Sequence, residues 1–137
     1  MFQHEDVIFF TVSKAYQRLY GIYRTRLQRF GLTPSQALVL HALYEGEGVS
    51  AGELGQILLF DNATLSGILN RMVEGGWITK DVSDEDRRTL KIHLTPKAMR
   101  IRTEFLRFNE ELNTEMLSRF RVEERLLLRR MLLDIGA

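Results

Sequence analysis

The sequence predicts a mainly α-helical protein that carries one small β-hairpin, and three observations lead to this fold class. Apolar residues recur at helical spacing over most of the 137 residues and divide into six predicted helices. Residues 75–94 instead combine β-branched and aromatic residues with alternating apolar positions, which is typical of two strands. Two short helices directly precede this hairpin, and that order of elements predicts a winged helix-turn-helix.

Composition limits the class of protein before any motif is considered. With 137 residues and 45% apolar residues, the chain has the size and core of a single domain, residues 1–137. It has no cysteine, which excludes disulfides and thiolate chemistry. There is no apolar run of about 18 residues, and the opening "MFQHEDVIFF" carries acids where a signal peptide needs basic residues. We therefore expect a soluble, cytoplasmic protein without a membrane partner.

Charges are segregated along the chain although the formal net charge is only +1. Residues 7–44 carry five basic and no acidic side chains, and residues 45–86 carry two basic and nine acidic ones. Residues 87–102 then carry six basic and no acidic side chains. Concentrated basic charge of this kind can attract a polyanion such as DNA. The alternative is that these blocks of sequence do not form surface patches.

Helix-ending signals divide the first half of the chain. A first helix is predicted over residues 5–30 and ends at Gly31. Thr33 and Gln36 form a capping box with Pro34 at the first helical position, so a second helix is expected to run to about residue 45. A short third helix is predicted over residues 51–59. Its apolar stripe consists of Leu54, Ile57 and Leu58.

The fourth helix is predicted to have Asp61 or Asn62 as its N-cap and to stop at Gly75 and Gly76. Four apolar residues at helical spacing form its buried stripe: Leu65, Ile68, Leu69 and Met72. The opposite face consists of small or hydrogen-bonding residues with one charge: Ala63, Thr64, Ser66, Gly67, Asn70 and Arg71. Such a face fits close approach to DNA, where these side chains read base edges or bond phosphates. The alternative is an ordinary surface or packing face.

A charged hairpin tip, residues 83–88, lies between the two predicted strands. Leu90, Ile92 and Leu94 alternate with polar residues, as in a half-buried strand, and Thr95 is expected to cap the next helix. Arg87 and Arg88 at this tip suit the narrow, electronegative minor groove of A·T-rich DNA. Asp86 is placed to hold the Arg88 guanidinium through a charge-assisted bond. The alternative is that these charged side chains are solvated and inert.

The last two helices are predicted over residues 96–119 and 122–135. The apolar stripe of the fifth helix is Ile101, Phe105, Phe108, Leu112, Met116 and Phe120. The sixth helix has more apolar residues than one buried face requires, and the start of the chain is rich in phenylalanine. One small domain cannot easily cover all of these apolar side chains, which predicts self-association. We assign the interface to Phe9, Phe10, Phe120, Leu126, Leu128, Met131 and Leu132.

Three segments together resemble the MarR family of bacterial transcription regulators. They are "GLTPSQALVLHAL", "LGQILLFDNATLSGILNRMVEGGWITK" and "DEDRRTLKIHLTPKA". The family's wing carries Asp-x-Arg and then a strand ending in Leu-Thr, which Asp86, Arg88, Leu94 and Thr95 match. The resemblance implies a homodimer built by residues 1–32 and 96–137, with a DNA-binding lobe at residues 33–95. It also implies a pseudo-palindromic operator, usually repression, and a small ligand that weakens DNA binding from between the lobes.

We therefore expect a sequence-specific regulator that binds double-stranded DNA, as a dimeric repressor released by a small-molecule effector. The contacts expected from the recognition helix are Asn62, Ala63, Thr64, Ser66, Gly67, Asn70 and Arg71. Those expected from the wing are Asp86, Arg87 and Arg88, with Lys97 and Arg100 as further phosphate contacts. Tyr16 and His41 are candidates for lining a ligand pocket. The alternative function is a winged-helix module that binds another protein, because residues 45–86 are acidic.

The sequence indicates neither an enzyme nor a cofactor. "GEGVSAG" resembles a phosphate-binding loop only superficially, because it lacks the GxGxxG spacing and a preceding strand. His4, His41 and His93 are scattered and do not form a metal site. Because the chain has no cysteine, it does not match the thiol-based peroxide sensors of the family. No catalytic residue, metal or cofactor is therefore predicted.

Overall fold

A computed structural model describes residues 1–137, which form six α-helices and one two-stranded sheet. The helices are α1 (Ile8–Arg26), α2 (Pro34–Glu45), α3 (Ala51–Leu58), α4 (Asn62–Glu74), α5 (Pro96–Met116) and α6 (Val122–Asp134), and the strands are β1 (Ile78–Val82) and β2 (Leu90–Leu94). The chain divides into two compact units, Met1–Arg100 and Ile101–Ala137. The mainly α-helical fold with a small hairpin is as the sequence predicts.

The ends of the first predicted helix differ from the prediction. His4–Asp6 and Leu27–Phe30 are 3₁₀ turns on either side of α1, where one continuous helix was expected. A 3₁₀ turn has three residues per turn, which places Leu27 and Phe30 on the same side. Both are buried, so the tighter turn serves packing. Gly31 then adopts the left-handed conformation, with φ +70°, and ends the segment as predicted.

α2 supplies much of the core of the first unit. Thr33 and Gln36 form the predicted capping box, with Thr33 Oγ1 accepting from the Gln36 backbone N–H at 3.2 Å. Ala37, Val39, Leu40, Leu43 and Tyr44 of α2 are buried. The Tyr44 hydroxyl donates to the backbone carbonyl of Ala98 at the start of α5.

In α3, the prediction that Ile57 belongs to the core was wrong. Leu54 is buried, but the side chain of Ile57 is 59% exposed. Gly55 is buried too, and a side chain there would meet Leu65 and the Phe60 carbonyl at 3.4 Å. The buried face is therefore centred between Leu54 and Gly55, and Ile57 lies roughly 110° away around the helix.

β1 and β2 form the predicted hairpin as an antiparallel pair. Ile78 lies opposite Leu94, Lys80 opposite Ile92 and Val82 opposite Leu90. The turn before α3 extends this sheet, because the N–H of Ile92 donates to the Val49 carbonyl at 2.9 Å and Ser50 forms a bridge with Lys91. The predicted alternation in β2 holds at Ile92, which is buried, but Leu90 next to the tip is exposed.

The second unit contains most of α5 and all of α6. α5 ends at Met116, earlier than predicted, because the chain turns and the Phe120 N–H donates to the Leu117 carbonyl at 3.0 Å. Three residues of the predicted α5 stripe are buried: Phe105, Phe108 and Leu112. Phe120 lies beyond the helix end and is exposed. No helix of the protein combines the length and apolarity needed to cross a membrane.

Candidate nucleic-acid interface

α4 has two chemically distinct faces, as the sequence predicts for a recognition helix. Its predicted stripe of Leu65, Ile68, Leu69 and Met72 is buried, which orients the helix on the core. The opposite face exposes Asn62, Ala63, Thr64, Ser66, Asn70 and Arg71, while Gly67 is half-buried. Most of the residues assigned to DNA contact are therefore accessible on one helix.

Asp61 caps this recognition helix. Its Oδ1 accepts a hydrogen bond from the Thr64 backbone N–H at 2.8 Å. That bond, with a further one to the Thr64 side chain, lowers the pKa of Asp61. Of the two predicted caps, the structure selects Asp61, and Asn62 becomes the first helical residue. Thr64 is exposed, and its hydroxyl is already engaged with Asp61.

Gly67 leaves room on the recognition helix that Arg71 partly occupies. A Cβ at Gly67 would lie 3.9 Å and 4.0 Å from the two terminal nitrogens of Arg71. The Arg71 guanidinium therefore turns back over the glycine, one helical turn away. Because Gly67 has no side chain, a partner can approach the helix backbone more closely at this position.

A contact that sequence analysis missed joins the recognition helix to the wing. Lys80 Nζ on β1 donates to Asn70 Oδ1 on α4 at 2.6 Å. Lys80 is half-buried, and its side chain helps to line a cavity of about 190 Å³ together with Ser66 and Leu90. The only sequence signal was the position of Lys80 in a strand that follows the helix directly. This bond brings a second cation to the α4 surface.

Asp86 organises the wing tip mainly through the backbone. Its Oδ1 accepts from the Arg88 backbone N–H at 3.0 Å, and its Oδ2 accepts from the Thr89 hydroxyl at 3.2 Å. These two bonds lower the pKa of Asp86, and a 3.4 Å contact with Arg88 Nε adds less. The predicted brace is present, but it holds the loop more firmly than the guanidinium. Both Arg87 and Arg88 are exposed, and 93% of the Arg88 side chain is accessible.

Of the two predicted phosphate contacts, Lys97 is the more constrained. Its Nζ donates to the Gly75 carbonyl at 2.7 Å and lies 4.2 Å from the centre of the buried Trp77 ring. These contacts tie the start of α5 to the end of α4. Arg100 is exposed one turn further along α5. Lys97 therefore retains only part of its donor capacity for a phosphate.

A second contact missed by sequence analysis lies at the base of the wing. His93 of β2 has its Nδ1 3.7 Å from Glu47 and its Nε2 3.8 Å from Asp81. Glu47 also accepts from the Leu94 backbone N–H at 3.0 Å. These contacts connect the turn before α3 with the strands. The structure contains no group of three histidine, aspartate or glutamate side chains that could hold a metal ion.

The two candidate ligand-pocket residues each have a partner on their own helix. His41 Nε2 lies 3.3 Å from Glu45 on α2. The exposed ring of Tyr16 lies 5.8 Å from the ring of Tyr20 on α1. The cavity beside Lys80 is lined by other residues. A ligand pocket at Tyr16 and His41 stays a prediction.

The residues assigned to self-association include several uncovered apolar side chains. In the first unit, Phe9 is 79% exposed, while Phe10 is half-buried. In the second unit, Phe120, Leu126, Met131 and Leu132 are exposed, and Leu128 is half-buried. Leu127 and Leu133 of α6 are exposed as well, although the sequence did not single them out for the interface.

The fold and this surface define the class of protein. α3 and α4 form a helix-turn-helix, and the hairpin that follows carries two exposed arginines at its tip, so the protein is a winged helix-turn-helix. The model of the MarR family matches residues 30–89. The chain belongs to the MarR family.

Curated relatives support this membership. The organic hydroperoxide resistance transcriptional regulator of Bacillus subtilis is 37% identical over 73 residues, which cover 53% of this chain and 50% of the relative. The HTH-type transcriptional regulator MgrA of Staphylococcus aureus is 30% identical over 101 residues, which cover 73% of this chain and 69% of the relative. The match to the Bacillus protein thus spans about half its length. These relatives are transcriptional regulators, which is not a class of enzyme.

Solved structures share the fold over nearly the whole chain. A probable transcriptional regulator from Pseudomonas aeruginosa is 27% identical, with a TM-score of 0.87 and coverage of 96% of this chain and 98% of that one. BpsR of Bordetella bronchiseptica is 22% identical, with a TM-score of 0.90 and coverage of 99% and 97%. MepR of S. aureus, solved with DNA, is 18% identical, with a TM-score of 0.84 and coverage of 97% and 96%.

Proposed function

We propose that the protein binds double-stranded DNA in a sequence-specific manner and regulates transcription. The observation that carries this proposal is the pairing of an exposed, small and polar α4 face with an arginine-bearing wing tip in one winged helix-turn-helix. α4 enters the major groove, where hydrogen-bonding side chains distinguish base pairs. The wing tip then reaches a flanking minor groove, whose negative potential attracts arginine.

The residues divide between base reading and phosphate contact. Thr64, Ser66, Asn70 and Arg71 contact base edges or phosphates from α4, while Arg87 or Arg88 enters the minor groove. Arg100 is exposed and contacts phosphate, as do the remaining donors of Lys97. α1 adds phosphate attraction, because residues 7–44 carry five basic and no acidic side chains. Specificity therefore depends on α4 and the wing.

The active form in this proposal is a homodimer that represses transcription from a pseudo-palindromic operator. Exposed apolar residues of α6, such as Leu126 at 65% and Leu133 at 68%, support self-association, because isolated monomers seldom expose so many large apolar side chains. A two-fold symmetric dimer presents two copies of α4 to half-sites about one helical turn apart. Residues 1–32 and 96–137 form the dimerisation lobe, and residues 33–95 form the DNA-binding lobe.

A small-molecule effector is the regulatory part of the proposal. The DNA binding of BpsR, which shares this fold, is regulated by 6-hydroxynicotinic acid. In the present protein, an effector weakens DNA binding if it binds one arrangement of the dimer more tightly than the other. Tyr16 and His41 are the residues we assign to its pocket.

Fluorescence anisotropy with DNA from upstream of the protein's own gene, and with a scrambled duplex, tests this function. We expect the native duplex to bind at near-physiological salt with two chains per site, and Arg88→Ala to weaken that binding. Arg130→Ala is the matched control, since Arg130 bonds Asp134 within α6 at 3.0 Å. If neither duplex binds, a random DNA pool is searched for a preferred sequence. Failure to enrich any sequence would reject the proposal in favour of a protein-binding module.

A further inference from the structure

The bond between Lys80 and Asn70 places a charged group beside a residue assigned to base reading. Lys80 Nζ donates to Asn70 Oδ1 at 2.6 Å, which is short for a charge-assisted hydrogen bond. Asn70 is exposed on the DNA-facing side of α4, and Lys80 is half-buried at the edge of the wing. The bond therefore determines which atoms of Asn70 remain available to hydrogen-bond a base.

The chemistry of the pair fixes the orientation of the amide. An ammonium group has three N–H donors and no acceptor, so the amide atom facing Lys80 has to be the oxygen. The Nδ2 group of Asn70, with two donors, is then turned away from Lys80. Lys80 also keeps donors that this bond does not use. Together the two side chains present hydrogen-bond donors and positive charge on the α4 surface.

The register of the hairpin holds Lys80 at this place. Lys80 lies opposite Ile92, which is buried, so its side chain starts on the inner side of the ribbon. Lys80 also lines the cavity of about 190 Å³ whose walls include Leu65 and Leu69 of α4. Its half-buried position and the bond to Asn70 restrict where the ammonium can go. Lys80 is thus a positioned group and not a freely moving surface cation.

Donors alone favour one purine over the other in the major groove. Adenine offers an acceptor and a donor, and asparagine usually reads both at once with Nδ2 and Oδ1. Guanine offers two acceptors, N7 and O6, which suit two donors. The Oδ1 of Asn70 has a second lone pair, but an adenine amino group using it would meet the Lys80 ammonium, so that two donors face each other. Guanine has no such conflict.

We propose that Lys80 is a specificity-determining residue, which holds Asn70 as a donor and makes the protein prefer guanine over adenine at the base pair that Asn70 contacts. The inference rests on the proposed function, since it concerns how α4 reads DNA. It adds a wing residue to the set that selects the operator. Without this bond, the same asparagine would favour adenine.

Base preference is the readout that separates this role from a structural one. An operator is first selected from a random DNA pool with the wild-type protein, and binding is then measured to every single-base-pair variant of it. Asn70→Ala identifies the contacted base pair as the position whose preference disappears. At that position we expect wild type to prefer guanine over adenine by roughly tenfold, the value of one well-placed contact. Replacing that guanine with 7-deazaguanine, which lacks the N7 acceptor, should weaken wild-type binding.

Variants of Lys80 and Asn70 then test the pair itself. Lys80→Met frees Oδ1 and should shift the preference at this position towards adenine, whereas Lys80→Arg keeps a cationic donor and should retain guanine. Asn70→Asp keeps the acceptor but removes the Nδ2 donors, and it should lose the guanine preference. Thermal unfolding of each variant checks that it is folded. If Lys80→Met is unstable, Lys80→Leu, which also removes the ammonium group, replaces it.

The possible failures are distinct. If no sequence is enriched from the pool, the proposed function is wrong and the inference fails with it. If an operator is found but wild type prefers adenine at the Asn70 position, or Asn70→Ala changes no position, DNA recognition stands and the inference is rejected. An unchanged base preference in folded Lys80→Met would also reject it.

Discussion

The carboxylate of Asp86 bonds the backbone of Arg88 more closely than it contacts the guanidinium of the same residue. The distance from Oδ1 to the Arg88 backbone N is 3.0 Å, against 3.4 Å to Nε. A bond to the backbone shapes the loop, whereas a bond to the guanidinium would direct the side chain. The loop conformation is thus fixed while the Arg88 side chain remains 93% exposed, as the proposed DNA contact requires. In that proposal, the order of the loop reduces the conformational entropy that would be lost when the wing binds.

The Asp86 bonds make the order of the wing tip dependent on pH. The Arg88 backbone N–H, and then the Thr89 hydroxyl, bond the charged carboxylate and lower its pKa. Because the folded pKa lies below the unfolded one, the stabilisation is complete above the unfolded pKa and is lost as the pH falls through the lowered folded value. NMR titration should show the Arg88 and Thr89 amides moving together with the Asp86 carboxyl, at a pH below that of an ordinary aspartate. Asp86→Asn should abolish this transition, and a normal or raised pKa would contradict it.

Gly67→Ala should separate stability from DNA binding. Removing a glycine from a helix interior stabilises the fold by about 0.5–1 kcal/mol, and the new methyl meets only the Arg71 guanidinium, at 3.9 Å. On the proposed DNA-facing surface, however, the methyl occupies space that a close approach to DNA requires. We expect a higher midpoint of urea unfolding together with weaker operator binding. Unchanged operator affinity in Gly67→Ala would show that this position does not approach DNA.

Leu54 and Ile57 of α3 should differ sharply although the sequence grouped them in one stripe. Leu54 is fully buried, so Leu54→Ala should lower the free energy of unfolding by about 2–5 kcal/mol through lost burial and a cavity. Ile57 is 59% exposed, and Ile57→Ala should change it by no more than about 0.5 kcal/mol. Urea unfolding of the two variants measures both values. Equal losses would place Ile57 in the core.

Leu132→Glu should disrupt the proposed dimer. Leu132 is 50% exposed on α6, where a buried charge at an apolar interface would be costly. Sedimentation velocity should show wild type as a dimer and the variant as a monomer with weaker operator binding. Arg129→Glu, at an exposed polar position of the same helix, should remain dimeric. A dimeric Leu132→Glu would exclude this part of α6 from the interface.

Sequence patterns predicted the helices, the strands and most of the site surface because these depend on neighbouring residues. Thr33 with Pro34 determines where α2 starts, and Thr95 with Pro96 does so for α5, since capping acts within one helical turn. The spacing of Leu65, Leu69 and Met72 likewise determines which face of α4 is buried, and so which residues remain on the opposite face. The assignment of those residues to DNA contact remains a proposal.

Contacts between separate helices and strands were not predicted from the sequence and became known only from the folded structure. The Lys80 to Asn70 bond, the packing of Lys97 on Trp77 and the exposure of Ile57 each depend on how one element lies against another. Helical and strand periodicity specify the face on which a residue lies, but not the element that packs against that face or its distance. Local sequence therefore determined the elements, the exposed face of α4 and the polar partners that lie within one turn. Tertiary packing determined which polar groups are paired across elements, because such hydrogen bonds require a backbone path that no short pattern encodes.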